Sequence, residues 1–437
     1  MSLKTQVGKF GMAGMRRGVL TPASVMKLAA AADVIMSRQK SPAGKFLRQN
    51  QLKNIRAALE PKARRAWISV FFPTEILHPF GIRPLSLEVL AGIFSTAGLS
   101  KEFLAGADAL GVSNTMCSFH RLLIGLGRSG YFAAPDVVAS TSLFCDGNLK
   151  SFSEVAQMTK KPFLYLDIPY EYTETGVAYL KEQLDAAARK VAELVNVKYS
   201  IDLIRASVAK AQEGLVRLKK IYNLRRERPQ NMFRGYEMVS FCFPSHYLLG
   251  SDLLINIADR IIKGLESGTE EHKYFARYVA QDFSPANIGR TKVLRYMSRF
   301  MWMHIVPQYD TPLWDLLDNG LTARMVCEEY TKPYFEGYDL KDPYGSIAKR
   351  LILHPSNGKM ERRVQNALTI AREFDVDGVI HYSSWGCHQA TGNVQMLERA
   401  FESAGFKFLN LNGDAVDESN TTFDQHRTRI EAFMERK

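Results

Sequence analysis

Seven apolar runs of five to seven residues punctuate the chain, at 66–72, 136–142, 163–168, 300–306, 323–327, 376–382 and 406–411. Each is short for a helix and suits a strand covered on both faces. Segments with helical spacing alternate with them, near 85–97, 117–126, 149–158, 313–317, 345–353, 359–374 and 394–404. Strands separated by helices require crossover connections, and crossovers build parallel sheets. The expected fold class is therefore α/β, with two doubly wound parallel-sheet domains. Between the third and fourth runs the pattern is helical for a long span, from about 173 to 220 and again over 246–265. The expected organisation is an N-terminal arm (1–65), a first α/β domain (66–170), a helical middle segment (171–290) and a second α/β domain (291–437) that closes on a charged helix over 422–435.

Charge separates the arm from the rest. Residues 1–65 hold fourteen Lys and Arg against Asp33 and Glu60, so they carry the whole net charge of +12; the remainder balances 43 bases with 43 acids. A neutral body gives no reason to expect nucleic acid as its partner. Apolar spacing at 25–36 and 46–59 predicts two amphipathic helices in the arm. Packing on its own protein or on a partner subunit is the plain reading; a polyanion or membrane-surface contact, or an organellar targeting role, is the alternative. No stretch approaches the roughly 20 apolar residues of a membrane span, and no compact signal sequence opens the chain. The expected address is the cytoplasm.

In that compartment five widely spaced cysteines read as free thiols or ligands rather than as disulfides. Cys145 and Cys387 each follow an expected strand, where an open parallel sheet forms its ligand crevice. Cys117 stands at the start of an expected helix, where free backbone N–H groups favour a thiolate. Three thiolates can thus converge from two domains, and a three-cysteine iron–sulfur site leaves one iron open. The spacing has no compact C-x-x-C form, so inert buried thiols remain the competing account. Cys242 and Cys327, in apolar surroundings, fit that account better.

Several motifs in order are similar to one family. Phe72-Pro73-Thr74-Glu75-Ile76, Gly81-Ile82-Arg83-Pro84, Cys117-Ser118, Cys145-Asp146-Gly147 and Leu166-Asp167-Ile168-Pro169-Tyr170 resemble the first domain of the 2-hydroxyacyl-CoA dehydratase and benzoyl-CoA reductase superfamily. Gly413-Asp414-Ala415-Val416-Asp417-Glu418 and the stretch from Arg427 to Phe433 resemble its closing motif. The resemblance spans about residues 60–437 and implies a [4Fe-4S] cluster on Cys117, Cys145 and Cys387. It also implies an acyl-CoA substrate, a related second subunit and a separate ATP-dependent activator that supplies one electron at low potential. The expected enzyme is a dehydratase-type lyase working through a ketyl radical. The alternatives are a benzoyl-CoA reductase-type subunit and a non-catalytic electron-transfer or structural partner. Thr74, His78 and the long middle segment depart from the family pattern.

Other polar residues carry two readings each. Ser69 is similar in placement to a pocket serine of the dehydratases, or is a strand serine satisfied by backbone. Glu75 is a general base, or a carboxylate at a helix start. His388, beside Cys387, tunes the cluster through its surroundings or is a bystander. Arg427 and Arg429 meet CoA phosphates, or pair with Glu418 and Glu431. No phosphate-binding glycine loop occurs, so ATP is expected on a partner.

Overall fold

The computed structural model describes residues 3–28, 41–228, 235–268, 298–309, 311–318 and 323–435. Two four-stranded sheets organise it. The first joins β1 (Arg65–Ile68), β2 (Arg83–Ser86), β3 (Val137–Thr141) and β4 (Phe163–Leu166) in the order β2-β1-β3-β4. The second joins β5 (Ser298–Met303), β6 (Ala323–Glu328), β7 (Gly378–Ser384) and β8 (Lys407–Gly413) in the order β6-β5-β7-β8. Every neighbouring pair is parallel, so the α/β class is as expected. In both sheets the winding reverses between the first strand and the third. The crevice at the carboxyl ends of that strand pair is where such sheets bind ligands.

Alternating side chains bury both faces of each sheet. Trp67 and Val138 pack on one side of the first sheet, Ala66, Ile68 and Ala139 on the other. In the second sheet Phe300, Trp302 and Tyr382 pack on one side, Met301, Met303 and Val379 on the other. The Trp67 face and the Trp302 face share one core, so the two domains are joined through their interiors. Ser95 donating to the Val416 carbonyl (2.8 Å) and Thr96 to that of Gln308 (2.6 Å) reinforce the junction.

Three details of the sheets and middle segment differ from expectation. The first strand stops at Ile68, where a turn closes with the Phe72 N–H on the Ser69 carbonyl (3.0 Å). Strand β2 was hidden by Pro84; at a sheet edge the missing N–H costs no ladder bond. The middle segment is helical over Glu174–Leu194 and Ile201–Glu227, but the helix expected over 246–265 is two, Gly235–Tyr247 and Asp252–Ser267. Gly250 takes φ +85° between them and Ser251 caps the second, its hydroxyl accepting from the Leu254 N–H.

The arm holds helices Leu3–Arg16 and Pro42–Leu59. The first was unexpected, and most of the helix read at 25–36 lies outside the described residues. Met12, Met15, Val25, Met26, Leu52 and Ile55 enter the shared core beside Trp67 and Leu85. The described part of the arm therefore packs on its own protein, with Lys9, Arg17, Lys53 and Arg64 facing outward. Among the described residues no helix is long and apolar enough to cross a membrane.

Candidate functional site

The two reversal points face each other, and their loops carry the thiols. Cys145 lies past the end of β3, and Cys387 past the end of β7. Cys117 is the N-terminal cap of the Ser118–Ser129 helix. All three sulfur-bearing residues line two adjoining cavities, a cleft of about 530 Å³ and a smaller, more apolar chamber of about 80 Å³. They form a wall between the two.

Local sequence explains the convergence. Gly386 has φ +69°, and a Cβ on it would stand 2.5 Å from the Cys117 backbone nitrogen; only glycine lets the two loops touch. The Trp385 indole N–H reaches the Asn114 carbonyl at 3.2 Å. Asp414 of the closing motif, fully buried, accepts from the Ser118 hydroxyl and from the Val416 and Asp417 N–H groups. The motif at 413–418 therefore fixes the residue after Cys117.

Each sulfur also faces backbone N–H groups: those of Phe119 and His120 at Cys117, Gly147 at Cys145, and Ala390 and Gln389 at Cys387. Burial outweighs them. It raises the Cys117 thiol well above its ordinary range, with Cys387 and Cys145 adding to the rise, and pushes Cys145 up to about 12. Burial raises Cys387 as well, opposed by its N–H groups and by Arg363. Without a ligand the three are protonated thiols; a cation or cluster that takes them as thiolates must displace their protons.

Two histidines that sequence reasoning passed over touch the sulfurs. His120 Nε2 is 3.0 Å from Cys145 Sγ, with its Nδ1 on the Ser151 hydroxyl at 2.7 Å. His304 Nε2 is 3.6 Å from Cys387 Sγ. Glu329 accepts the His304 backbone N–H and pairs in two contacts with Arg363, which in turn donates to the Gln389 carbonyl. His388, the neighbour expected to serve the cluster, is exposed on the cleft side instead.

A second omission is Glu88, which lines the chamber and accepts from the Ser86 hydroxyl (3.0 Å) and the Val70 N–H (3.3 Å). Burial pushes its carboxyl up to about 7, against the pull of those bonds. Glu75, read as a base or as a carboxylate at a helix start, stands away from the thiols. It is fully buried, takes Arg350 at 2.9 Å and the Tyr338 hydroxyl at 3.0 Å, and lines neither cavity. The physical reason is its short helix, Thr74–Ile76, which turns inward to the second domain's Arg350. Ser69 is buried next to the chamber residue Val70, and its hydroxyl has no protein partner. Cys327 is core, as expected, whereas buried Cys242 borders the chamber. Arg427 pairs with Asp424 (3.1 Å), an ion pair although not the one expected.

Among the described residues no group of three or more His, Cys, Asp or Glu gathers around a single metal ion. A cubane cluster binds each thiolate on a different iron, so thiols set around one wall can hold it without meeting at a point. Soft thiol donors suit iron–sulfur better than a hard cation.

Several known proteins have similar sequences. The chain is 21% identical over 411 residues to the (R)-phenyllactyl-CoA dehydratase alpha subunit of Clostridium sporogenes, covering 89% of this chain and 94% of that one. It is 22% identical over 307 residues to the (R)-2-hydroxyglutaryl-CoA dehydratase alpha subunit of Acidaminococcus fermentans, covering 69% of this chain and 60% of the relative. It is 24% identical over 377 residues to a benzoyl-CoA reductase subunit of Thauera aromatica, covering 77% and 81%. The family pattern of the 2-hydroxyglutaryl-CoA dehydratase D-component matches residues 69–436, which takes in all three thiols of the wall. The chain belongs to the 2-hydroxyglutaryl-CoA dehydratase, D-component family.

Proposed function

We propose that this chain is the catalytic subunit of a dehydratase that removes water from a 2-hydroxyacyl-CoA thioester, with a [4Fe-4S] cluster held by Cys117, Cys145 and Cys387. The observation that carries this reading is the wall of three thiols, contributed by both domains, with an aromatic-lined chamber against it. The relatives' names supply the thioester and the class of reaction. When bound, the cluster supplies a low-potential electron and an iron able to polarise a substrate oxygen.

The chain's own residues do the rest. Loss of water takes a proton from the carbon chain and a hydroxyl from the neighbouring carbon. Glu88, poised near neutral pH, is the chamber carboxyl suited to hold that proton and pass it on. The unpartnered Ser69 hydroxyl is a donor for the substrate oxygen. Aromatic side chains of Phe71, Phe119 and Phe144 line the chamber and exclude water. A related second subunit completes the enzyme, as the relatives' alpha-subunit names suggest, and an ATP-dependent activator is the proposed source of the electron.

Anaerobic purification tests the reading. About four iron and four sulfide per chain are expected, lost in Cys117→Ala, Cys145→Ala and Cys387→Ala and kept in Cys242→Ala. A chain that takes up no iron under reducing conditions would refute it. The match to a benzoyl-CoA reductase subunit favours a second reading, ring reduction. Supplying benzoyl-CoA beside 2-hydroxyacyl-CoA esters, with activator and ATP, separates the two.

A further inference from the structure

Resting on the acyl-CoA reading above, we infer that the acyl group accepted here is uncharged, and that a thioester bearing a second carboxylate is refused. The chamber wall is built from Phe71, Phe119, Phe144, Phe243, Val239 and Val306, drawn from both domains and the middle helices. Phe144 sits at φ +77°, a conformation a bulky residue rarely adopts. It places the ring in the wall, 5.1 Å from Phe71 and stacked on His304 at 5.8 Å. An apolar surface assembled at that conformational cost favours an apolar guest.

Charge points the same way. The carboxyl that lines the chamber is Glu88, which offers a second anion no counter-charge when protonated and repels it when ionised. No Lys or Arg lines the chamber among the described residues. His246 borders it and is held neutral by burial, its pKa pushed down to about 3. A distal carboxylate in this space meets aromatic faces, Glu88 and neutral donors such as the Tyr330 hydroxyl, but no cation among the described residues, and a buried charge without a counter-charge is costly.

Two thioesters of the same heavy-atom shape decide the matter. 3-Methylbutanoyl-CoA ends in an isopropyl group where malonyl-CoA ends in a carboxylate, and neither has a 2-hydroxyl to lose. Equilibrium binding of both, and of CoA alone, is measured on the full chain by calorimetry. The expected result is that 3-methylbutanoyl-CoA binds at least about thirtyfold more tightly than malonyl-CoA. In Glu88→Gln the gap narrows because malonyl-CoA gains affinity while the apolar ester does not. A smaller preference in the parent chain, or the reverse order, overturns the inference and leaves the acyl-CoA reading in place. Neither ester exceeding CoA alone overturns that reading, and this inference with it.

Discussion

Single residues show how far side-chain chemistry departs from sequence spacing. Glu88 sits in a helix start, Ser86-Leu87-Glu88, that reads as an ordinary capped turn; only the fold reveals a cavity beside it. Its carboxyl rises from 4.5 to about 7 on folding, chiefly through burial. The folded chain thus holds this proton more tightly, and the stability so gained is complete below about 4.5 and lost as pH climbs through 7. Glu88→Gln removes that dependence. Relative to the parent, the variant should gain stability between pH 4.5 and 7.5, by an amount of order 3 kcal/mol, read as a Tm difference that widens with pH. A constant difference would mean the carboxyl is not buried as described. His120 had one local hint, its position three residues after Cys117, yet it contacts Cys145; the partner is set by the packing of the Gly147–Thr159 helix and not by the spacing.

At the level of elements, the parallel strands were legible because β-branched and aromatic residues in short runs leave few alternatives, while β2 was not, because Pro84 breaks the strand signature. The thiol-bearing loops were legible as strand ends. What holds them was not, since it comes from distant segments. The Gly386 approach to Cys117 joins positions far apart in the chain. Gly386→Ala should force the two loops apart, adding about 1–2 kcal/mol of backbone strain, and iron binding should fall although the three cysteines remain. Unchanged iron content would show that the loops meet by other means. Glu329 is a second such tie, holding His304 and Arg363 behind the Cys387 loop. Glu329→Gln leaves Arg363 buried without its counter-charge and should cost about 3–5 kcal/mol in urea unfolding.

For the whole molecule, the decisive fact is one core shared by arm, first sheet and second sheet. The net charge of +12 drew attention to the arm as a surface for anions, but its apolar positions do something the charge does not disclose. Ile55 is 2% exposed and shares a core with Trp67, Leu85 and Trp302, residues of both sheets. The arm lies outside the family match at 69–436, yet the domains it underlies are the ones that bring the thiols together. If its role is to close that core, substitutions should act through volume and not through charge. Ile55→Ala should destabilise the chain by about 2–5 kcal/mol, as large-to-small core changes do. Lys53→Gln, exposed two residues earlier, should stay within about 0.5 kcal/mol. Chemical denaturation of the two variants gives the comparison directly. Equal and small effects would return the arm to the role of a charged appendage, and would also loosen the case that both domains are locked in the arrangement the thiol wall requires.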